Sequence, residues 1–338
     1  VLTHGFVVDG EGKKQSKSLG NTVSPQSVWN KKGADILRAW VASSDFRNEI
    51  YFSEEILDRT ADSYRRIRNT IRFLLSNLYD FDHQQEVSLD SRVEIDIWIL
   101  KEAEKLQNEI IEDYSNYEFH LVYQKVLNFC TNELGSFYLD ILKDRLYTSK
   151  KSGFARTSAQ KTLKSLFDKL LLWIAPILSF TAEEAFREFY KDKKSIFLES
   201  FSSSAPEDIS LTLDEDSWKV LNEIKIEANK LLEEKRNDGI IGSSLDAEVK
   251  IFCNSETFLR LSPCIDELKF LLIVSDASLE VADDDGQSSI SIEVKSSDKE
   301  KCDRCWHHTG NLKKILDSNL CSRCIENVEG EGEKRKFF

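Results

Sequence analysis

Methionine is absent from the 338-residue sequence, which begins at a valine. At a usage of roughly 2%, about seven methionines would be expected. The missing initiator leads us to expect the C-terminal part of a longer polypeptide. A basic-then-apolar leader is also missing, so nothing in the sequence indicates secretion. The longest apolar run, 170–180, is interrupted by Pro176 and Ser179 and is too short to span a bilayer.

A surplus of basic residues is missing too. The formal net charge is −13, which by itself argues against a nucleic-acid partner. However, residues 1–72 hold 12 Lys or Arg against 9 Asp or Glu, and residues 301–338 hold 8 against 6. The remaining residues, 73–300, therefore carry 26 basic and 44 acidic groups. An acidic chain of this kind can still bind RNA through local basic surfaces at its two ends.

A lysine-rich loop follows the first apolar run. Val7 and Val8 are predicted to end a strand, and residues 9–12 have the composition of a turn. The next segment, 13–18, carries three lysines and two serines. Ammonium groups in a mobile loop suit a transient polyanion such as a nucleoside triphosphate, and glycines let the backbone approach phosphate oxygens. A solvated basic loop without a ligand is the alternative.

The seven cysteines fall into two groups. Three lie in apolar contexts and are predicted to be small buried side chains: Cys130, Cys253 and Cys264. The other four form two CxxC pairs separated by fifteen residues: Cys302, Cys305, Cys321 and Cys324. Four thiolates at this spacing suit one tetrahedral structural Zn²⁺, which would supply folding free energy to a segment with few large apolar residues. A redox pair and a catalytic zinc with an open position are the alternatives.

Cations and a tryptophan surround these cysteines. Arg304 and Arg323, inside the two pairs, are predicted to favour thiolate over thiol. A tryptophan beside several cations suits stacking on an unpaired base together with phosphate contacts. The candidate RNA-binding residues here are Trp306, Lys334, Arg335 and Lys336. The alternative is that Trp306 packs against the protein and that the tail is disordered.

Helical periodicity dominates residues 53–190, and short links between the helices indicate a bundle. Ser53 is predicted to cap the first helix, and capping boxes predict helix starts at Ser91 and Thr181. Further helices are predicted over 118–142 and 157–175. The large aromatic residues of the bundle are predicted to form its core: Trp98, Phe129, Phe137 and Trp173.

Arginines lie along the polar face of the first of these helices: Arg59, Arg65, Arg66, Arg68 and Arg72. Such residues usually form a solvated face, but their density makes contact with phosphates an equal alternative. Four of them are candidate RNA contacts: Arg65, Arg66, Arg68 and Arg72. Asp35 and Arg38 lie on a helix that is predicted to start near Ala34. Their simplest interpretation is a surface ion pair.

Residues 201–300 combine helix and strand patterns, which predict a small α+β module. The predicted elements are a linker at 200–208, a helix at 214–236, strands at 247–252 and 290–294, and a turn at 283–286. Residues 268–274 fit either the end of a helix or a buried strand.

Several motifs together resemble the class I aminoacyl-tRNA synthetases. Lys14-Gln15-Ser16-Lys17-Ser18, followed by Leu19-Gly20-Asn21, resembles the Lys-Met-Ser-Lys-Ser signature loop of that family, with Gln15 in place of Met. Gly33-Ala34-Asp35-Ile36-Leu37-Arg38 also resembles that family. Asp62-Ser63-Tyr64-Arg65-Arg66 and the terminal cysteines are similar to its isoleucyl members in particular. The resemblance runs from Val1 to Phe338.

This resemblance implies the C-terminal portion of a ligase that activates isoleucine with ATP and Mg²⁺ and transfers it to tRNA(Ile). It implies that the loop closes on ATP through Lys14, Ser16, Lys17 and Ser18. Lys14 and Lys17 would be catalytic, with Lys17 stabilising the leaving pyrophosphate. The bundle would bind the anticodon stem and loop. The His-Ile-Gly-His signature of the family is absent from this chain, so the chain alone is expected to be inactive.

We therefore predict a mainly α chain in four parts. These are the end of an α/β nucleotide-binding catalytic domain (1–50), a helical anticodon-binding domain (51–200), a helix with a small α+β junction module (201–300) and a zinc ribbon (301–338). The expected protein is a cytoplasmic monomer without a membrane partner. The alternatives are a non-enzymatic zinc-ribbon scaffold that binds RNA, and a valine, leucine or methionine synthetase of class I.

Overall fold

The structure is a computed structural model that describes residues 2–85, 87–201, 209–282, 290–315 and 317–338. Most of the predicted linker and the whole turn at 283–286 lie outside these residues. The described chain is mainly helical, as predicted, and none of its described helices is long and apolar enough to cross a membrane. One compact unit comprises Val1–Asp82, Ile99–Tyr138 and Thr162–Glu207, and the other comprises His83–Trp98, Leu139–Lys161 and Asp208–Phe338.

The first unit starts with a two-stranded parallel pair. Strand β1 (Val7–Val8) lies beside β2 (Ile50–Tyr51), and helices α1 (Pro25–Lys32) and α2 (Ala34–Ala42) come between them in the chain. The start of α2 agrees with the prediction, whereas α1 was not predicted. Trp40 meets Phe52 edge-on at 5.2 Å within a small apolar core. The lysine loop leaves β1 at the edge of this core.

Longer helices follow, in this order: α3 (Glu54–Ser76), α4 (Glu94–Ser115), α5 (Phe119–Phe129), α6 (Leu139–Thr148), α7 (Phe154–Ile174) and α8 (Ser179–Phe189). Ser53 caps α3 as predicted, because its hydroxyl accepts the N–H of Ile56 at 3.2 Å. A π-helix, Cys130–Tyr138, follows α5. The predicted aromatic core is confirmed at Phe129, Phe137 and Trp173, which are buried; Trp98 is half-buried and stacks on Trp218 at 5.0 Å.

The start of α4 differs from the prediction. This helix begins at Glu94 rather than at Ser91, which lies in a short 3₁₀ turn. The N–H groups of Glu94 and Ile95 donate to the carbonyls of Lys336 and Phe337 at 2.8 and 3.0 Å. Free N–H groups at a helix start need acceptors, and here a segment distant in sequence supplies them.

The start of α8 is also wrong in the prediction, for the same reason. This helix begins at Ser179, and the N–H groups of Phe180 and Thr181 donate to the carboxylate of Asp35 at 3.3 and 2.7 Å. Asp35 is buried, so the surface pair with Arg38 predicted for it is wrong as well. A carboxylate at a helix start is favoured by the free N–H groups and by the helix dipole.

Arg38 serves the neighbouring helix end. Its guanidinium donates from Nε to the carbonyl of Ile177 and from Nη2 to that of Pro176, both at 2.8 Å. These two carbonyls follow the last turn of α7, where a cation is favoured. Two residues of α2 thus complete the end of α7 and the start of α8.

The second unit contains a long helix and a mixed sheet. Helix α9 (Glu215–Asn237) precedes β3 (Ala247–Cys253), which pairs in parallel with β4 (Asp276–Val281) and antiparallel with β5 (Ser291–Ser296). The predicted helix and both predicted strands are confirmed, whereas β4 was not predicted. Helices α10 (Ser255–Leu261) and α11 (Leu268–Leu272) lie between β3 and β4, so the helical alternative holds for 268–272.

Lys225 of α9 is buried in this unit. Its ammonium donates to the carbonyl of Leu271 at 2.8 Å. Burial lowers the pKa of Lys225 from its ordinary 10.5 to about 8, because a charge inside the protein loses its hydration.

Short strands and one helix hold the four cysteines. Strand β6 (Glu300–Lys301) pairs with β7 (His308–Thr309), β8 (Leu312–Ile315) pairs with β9 (Ser318–Cys321), and α12 (Ser322–Glu329) follows. We call residues 300–338 the cysteine module. Its buried cluster consists of the four cysteines and Leu320, an apolar core too small to fold without further support.

Candidate functional sites

The lysine loop starts as a hairpin that extends β1. The N–H of Gln15 donates to the carbonyl of Val7 at 2.9 Å, and Val8 and Lys14 form an antiparallel bridge. The side chain of Gln15 is half-buried and accepts the N–H of Val23 at 3.5 Å. The pairing runs through the backbone of Gln15, so it does not require the methionine of the signature.

A tight turn follows the hairpin. Residues Lys17–Leu19 form one turn of 3₁₀ helix, and the hydroxyl of Ser16 accepts the N–H of Leu19 at 3.3 Å. Gly20 ends the turn in the left-handed region at φ 70°, a conformation that favours glycine. Lys17 and Ser18 therefore project from a defined turn and are exposed.

Two ammonium groups of the loop have no acidic partner among the residues that the structure describes. Lys13 pairs with Glu11 at 2.7 Å, but among the described residues no carboxylate lies within 4 Å of the ammonium of Lys14 or Lys17. Lys14 instead lies over the ring of Phe6, with its Nζ 3.6 Å from the ring centroid. Both cations are thus available to an anionic ligand.

Asp9 and Asn21 tie the turn to the hairpin. The amide of Asn21 donates to Oδ2 of Asp9 at 2.9 Å, and its Oδ1 accepts the N–H of Ser16 at 2.9 Å. Oδ1 of Asp9 accepts the N–H groups of Glu11 and Lys13 at 3.0 and 2.9 Å. The hydrogen bond from Asn21, followed by that from Lys13, holds the pKa of Asp9 below its ordinary value.

The structure brings the four predicted metal ligands together. Their sulfur atoms all lie within 4.8 Å of one another, and those of Cys305 and Cys321 are 3.7 Å apart. Sulfurs bound at ~2.3 Å around a tetrahedral ion stand about 3.8 Å apart. All four side chains are buried, and none is in a disulfide. The donor set therefore fits a metal ion held by four thiolates.

Two backbone N–H groups donate to sulfur atoms of this cluster. The backbone N–H of Cys321 donates to the sulfur of Cys302 at 3.3 Å, and that of Cys324 donates to the sulfur of Cys321 at 3.4 Å. Hydrogen bonds among the thiols themselves act in opposite directions, because they lower the pKa of Cys321 and raise that of Cys324. Elsewhere, burial raises the pKa of Cys130 to about 12, which agrees with its predicted inert role.

The arginines inside the two CxxC pairs join the cysteine module to α6. Arg304 donates to the carbonyl of Thr148, and its Nη1 lies 3.9 Å from the sulfur of Cys324. Arg323 forms a two-fold contact with Asp144 at 2.6 and 3.0 Å. The prediction gave these arginines an electrostatic role toward sulfur, but their hydrogen bonds to α6 show that they also dock the module.

Arg335, a candidate RNA contact, takes part in the same docking. It is 5% exposed, its Nη2 donates to Asp144 at 2.6 Å, and its Nε donates to Glu333 at 2.6 Å. The guanidinium lies over the ring of Phe270, 3.1 Å from the centroid. This burial removes Arg335 from the candidate RNA contacts.

The rest of the tail is ordered. Phe337 and Phe338 are buried, and the carboxylate of Glu267 accepts the N–H groups of residues 336–338 at 2.9 Å each. The alternative of a disordered tail is therefore wrong. The side chains of Lys334 and Lys336 remain exposed.

Trp306 does not pack into the protein. Its side chain is 60% exposed, and its backbone has φ 65°, in the left-handed region. The ammonium of Lys301 lies 5.6 Å from its ring centroid. The indole is open to a stacking partner, and a cation stands beside it.

The arginines of α3 fall into paired and unpaired sets. Arg59 pairs with Glu55, Arg65 with Asp62, and Arg68 with Glu184. The other two are exposed, and no ion pair is formed by either within the described part of the chain: Arg66 and Arg72. These two are the arginines of α3 best placed to meet a phosphate.

Sequence reasoning missed two residues that shape these sites. Asn21 lies within the quoted signature, so its position could have drawn attention to it. Asp144 gives no local signal, because Arg323 and Arg335 lie 179 and 191 residues away in the chain.

Two family models match the chain. "tRNA synthetases class I (I, L, M and V)" matches residues 1–53, and "Anticodon-binding domain of tRNA ligase" matches residues 96–251. The first match contains the lysine loop, and the second runs from the first turn of α4 into β3.

Curated relatives match along the full chain. An isoleucine–tRNA ligase from Shewanella sp. (strain W3-18-1) is 46% identical over 359 residues, which covers 100% of this chain and 37% of that protein. One from Idiomarina loihiensis is 46% identical over 348 residues with the same coverage. The chain thus spans 37% of the length of these relatives.

Solved structures are more distant. Methionyl-tRNA synthetase from Mycobacterium tuberculosis in complex with methionyl-adenylate is 17% identical, with a TM-score of 0.46 over 58% of this chain and 43% of that one. The whole-chain match to the curated relatives is the informative one. Together with the two family models, it shows that the chain contains a segment similar to class I tRNA synthetases and an anticodon-binding domain, and that it is similar over its full length to isoleucine–tRNA ligases.

Proposed function

We propose that the chain is the part of an isoleucine–tRNA ligase that contains the ATP-closing loop, the anticodon-binding helices and a zinc module. The observation that carries this proposal is the 46% identity to isoleucine–tRNA ligases over 100% of the chain. The whole enzyme would join isoleucine to ATP with release of pyrophosphate, and would then pass the isoleucyl group to tRNA(Ile). The chain alone would perform neither step.

The lysine loop would act in the first step. As the isoleucine carboxylate attacks the α-phosphorus of Mg²⁺–ATP, negative charge builds up on the departing pyrophosphate. Lys14 and Lys17 would stabilise that charge, and Ser16 and Ser18 would donate hydrogen bonds to phosphate oxygens. The absence of an acidic partner for either lysine, within the part of the chain that the structure describes, supports this role.

The four-thiolate site would bind one structural zinc ion. Thiolate ligands in a tetrahedral set of four are typical of structural zinc, and they leave no open position for a substrate. The small apolar core of the cysteine module supports this assignment, because metal binding would then stabilise the fold.

Exposed cations and one exposed indole would contact tRNA(Ile). Arg66 and Arg72 are free to meet phosphates, whereas Arg65 and Arg68 would first have to leave their carboxylate partners. Trp306 would stack on an unpaired base. Two further candidates are the exposed lysines of the tail, Lys334 and Lys336.

The four-part division also belongs to this proposal. Residues 1–50 would complete the catalytic domain, 51–200 would form the anticodon-binding domain, 201–300 the junction module and 301–338 the zinc ribbon. We propose a monomer that works in the cytoplasm.

Charging assays on the full-length protein test the proposal. We expect it to attach isoleucine to tRNA. The kcat/KM for valine, leucine or methionine should be lower than that for isoleucine by about 100-fold or more. Preferential charging of another amino acid would reject the isoleucine assignment. Binding of tRNA without any charging would favour the non-enzymatic scaffold.

The chain itself offers two further tests. The 338-residue polypeptide should show no isoleucine-dependent exchange of pyrophosphate with ATP, so robust exchange would contradict the proposal. In the full-length protein, Lys17→Ala should slow that exchange by about 100-fold or more, as loss of a transition-state contact does. Lys13→Ala is the matched control, because Lys13 is already paired with Glu11.

A further inference from the structure

Asn21 is the side chain that connects the two parts of the lysine loop. Its amide nitrogen donates to Asp9 in the turn of the hairpin, and its Oδ1 accepts the N–H of Ser16 at the start of the 3₁₀ turn. The same nitrogen lies 3.4 Å from the carbonyl of Lys14. One residue thus contacts the hairpin turn, the backbone of the first signature lysine and the cap of the turn that carries Lys17.

Asp9 is held in place independently of Asn21. Its Oδ1 accepts two backbone N–H groups of the hairpin turn, those of Glu11 and Lys13, which leaves Oδ2 for the amide of Asn21. The carboxylate is therefore a fixed anchor at the end of β1. The side chain of Asn21 connects the turn of Ser16 to Gly20 to this carboxylate.

This arrangement matters for a mobile cation. A lysine side chain is long and flexible, so the position of its ammonium depends on the backbone that carries it. A misplacement of about 1 Å at a reacting centre can cost about 100-fold in rate. Fixing Ser16 fixes the start of the turn and hence the origin of the Lys17 side chain.

We propose that Asn21, anchored by Asp9, is a positioning residue that holds the turn of Lys17 ready for the phosphates of a nucleoside triphosphate. This inference rests on the proposed function of the loop. Asn21 does not touch the reacting atoms. It acts through the backbone of Ser16, and its effect belongs to adenylate formation and not to transfer of the amino acid to tRNA.

The full-length protein allows a direct test with Asn21→Ala. We expect kcat for isoleucine-dependent pyrophosphate exchange to fall by about 10- to 100-fold, with KM for ATP and for isoleucine changed less than about 2-fold. Transfer of isoleucine from preformed adenylate to tRNA, measured in a single turnover, should be unchanged. Asn48→Ala is the matched control, because Asn48 also donates its side-chain amide to an aspartate, Asp45, at 3.0 Å in an exposed turn.

A swap of the two side chains separates positioning from a general loss of structure. Asn21→Asp alone places two carboxylates together and should be at least as slow as Asn21→Ala. In the double variant Asp9→Asn with Asn21→Asp, the new amide can donate to the new carboxylate, which still accepts the N–H of Ser16. We expect the double variant to recover kcat to within about 5-fold of the unmodified protein.

The outcomes distinguish this inference from the function on which it rests. Equal activity of the Asn21→Ala and Asn48→Ala variants would overturn the positioning role, as would a swap that restores nothing or an equal slowing of the transfer step. Absence of isoleucine-dependent exchange in the unmodified full-length protein would instead reject the proposed function itself.

Discussion

Replacing Asp144 with asparagine should undock the cysteine module from α6 without unfolding it. Asp144 bonds to both Arg323 and Arg335, and Glu333 supplies the other negative charge of the cluster. The substitution leaves two arginines with one carboxylate in a largely buried site. Breaking a buried ion pair by removal of one partner costs about 3–5 kcal/mol. Since Asp144 retains some solvent access, we take the lower end, about 3 kcal/mol.

Amide hydrogen exchange measures this loss of free energy at individual residues. The N–H groups of Phe337 and Phe338 are bonded to Glu267 only while the tail is docked. A loss of about 3 kcal/mol should speed their exchange by roughly 100-fold, since each 1.4 kcal/mol is tenfold. The pairing of β8 with β9, within the module, should keep its protection. Glu329→Gln removes an exposed charge from the same module and should change exchange less than about 3-fold.

The pH dependence gives an independent check. Burial alone would raise the pKa of Asp144, but the charges of Arg323 and Arg335 hold this pKa below its ordinary 3.8. A carboxylate with a lowered pKa stabilises the folded state above its ordinary pKa, and this contribution is lost as the pH falls below it. Protection of the tail in the unmodified protein should therefore decline below about pH 4. The Asp144→Asn variant should show a smaller decline, because only Glu333, whose pKa is lowered by the same arginines, then contributes to it. Exchange as slow in Asp144→Asn as in Glu329→Gln would refute the reasoning.

Three further predictions address the metal, a buried charge and RNA. Cys324→Ser should reduce bound zinc well below one equivalent by elemental analysis, because the site needs four thiolates, whereas Cys264→Ala should retain it. The pKa of Lys225 is about 8 when folded and 10.5 ordinarily, so the unfolded chain binds more protons between these values. The free energy of unfolding should therefore rise by about 3 kcal/mol from pH 8 to 10.5 relative to Lys225→Met, and an equal slope in both proteins would contradict this. Arg72→Ala should lower the slope of log affinity for tRNA against log salt by about 1, while Arg59→Ala, whose arginine is paired, should not.

Local signals in the sequence predicted much of this fold. The spacing of apolar residues predicted α3, α7 and α9. The serine directly before α3 predicted where that helix starts, because its hydroxyl can accept an N–H group of the first turn. The CxxC spacing predicted the cluster of four cysteines, because each pair is brought together by its own short turn. In these cases the interacting groups are close in sequence.

The failures share the opposite property. The starts of α4 and α8 depend on acceptors from residues 336–337 and from Asp35, which no local pattern reveals. Arg335 lies in a basic stretch that suggests an exposed surface, yet a carboxylate 191 residues earlier draws it inside. Long-range partners, rather than weak propensities, limit what sequence alone can predict here.

The bonds between the start of α4 and residues 336–337 have a consequence for synthesis on the ribosome. Glu94 and Ile95 emerge about 240 residues before the carbonyls that accept their N–H groups. At roughly 5–20 residues per second, the nascent second unit waits about 10–50 s for residues 336–337. During that time the helix start is exposed, so chaperones have an extended opportunity to bind it, and a pause in translation between the two segments would prolong that exposure.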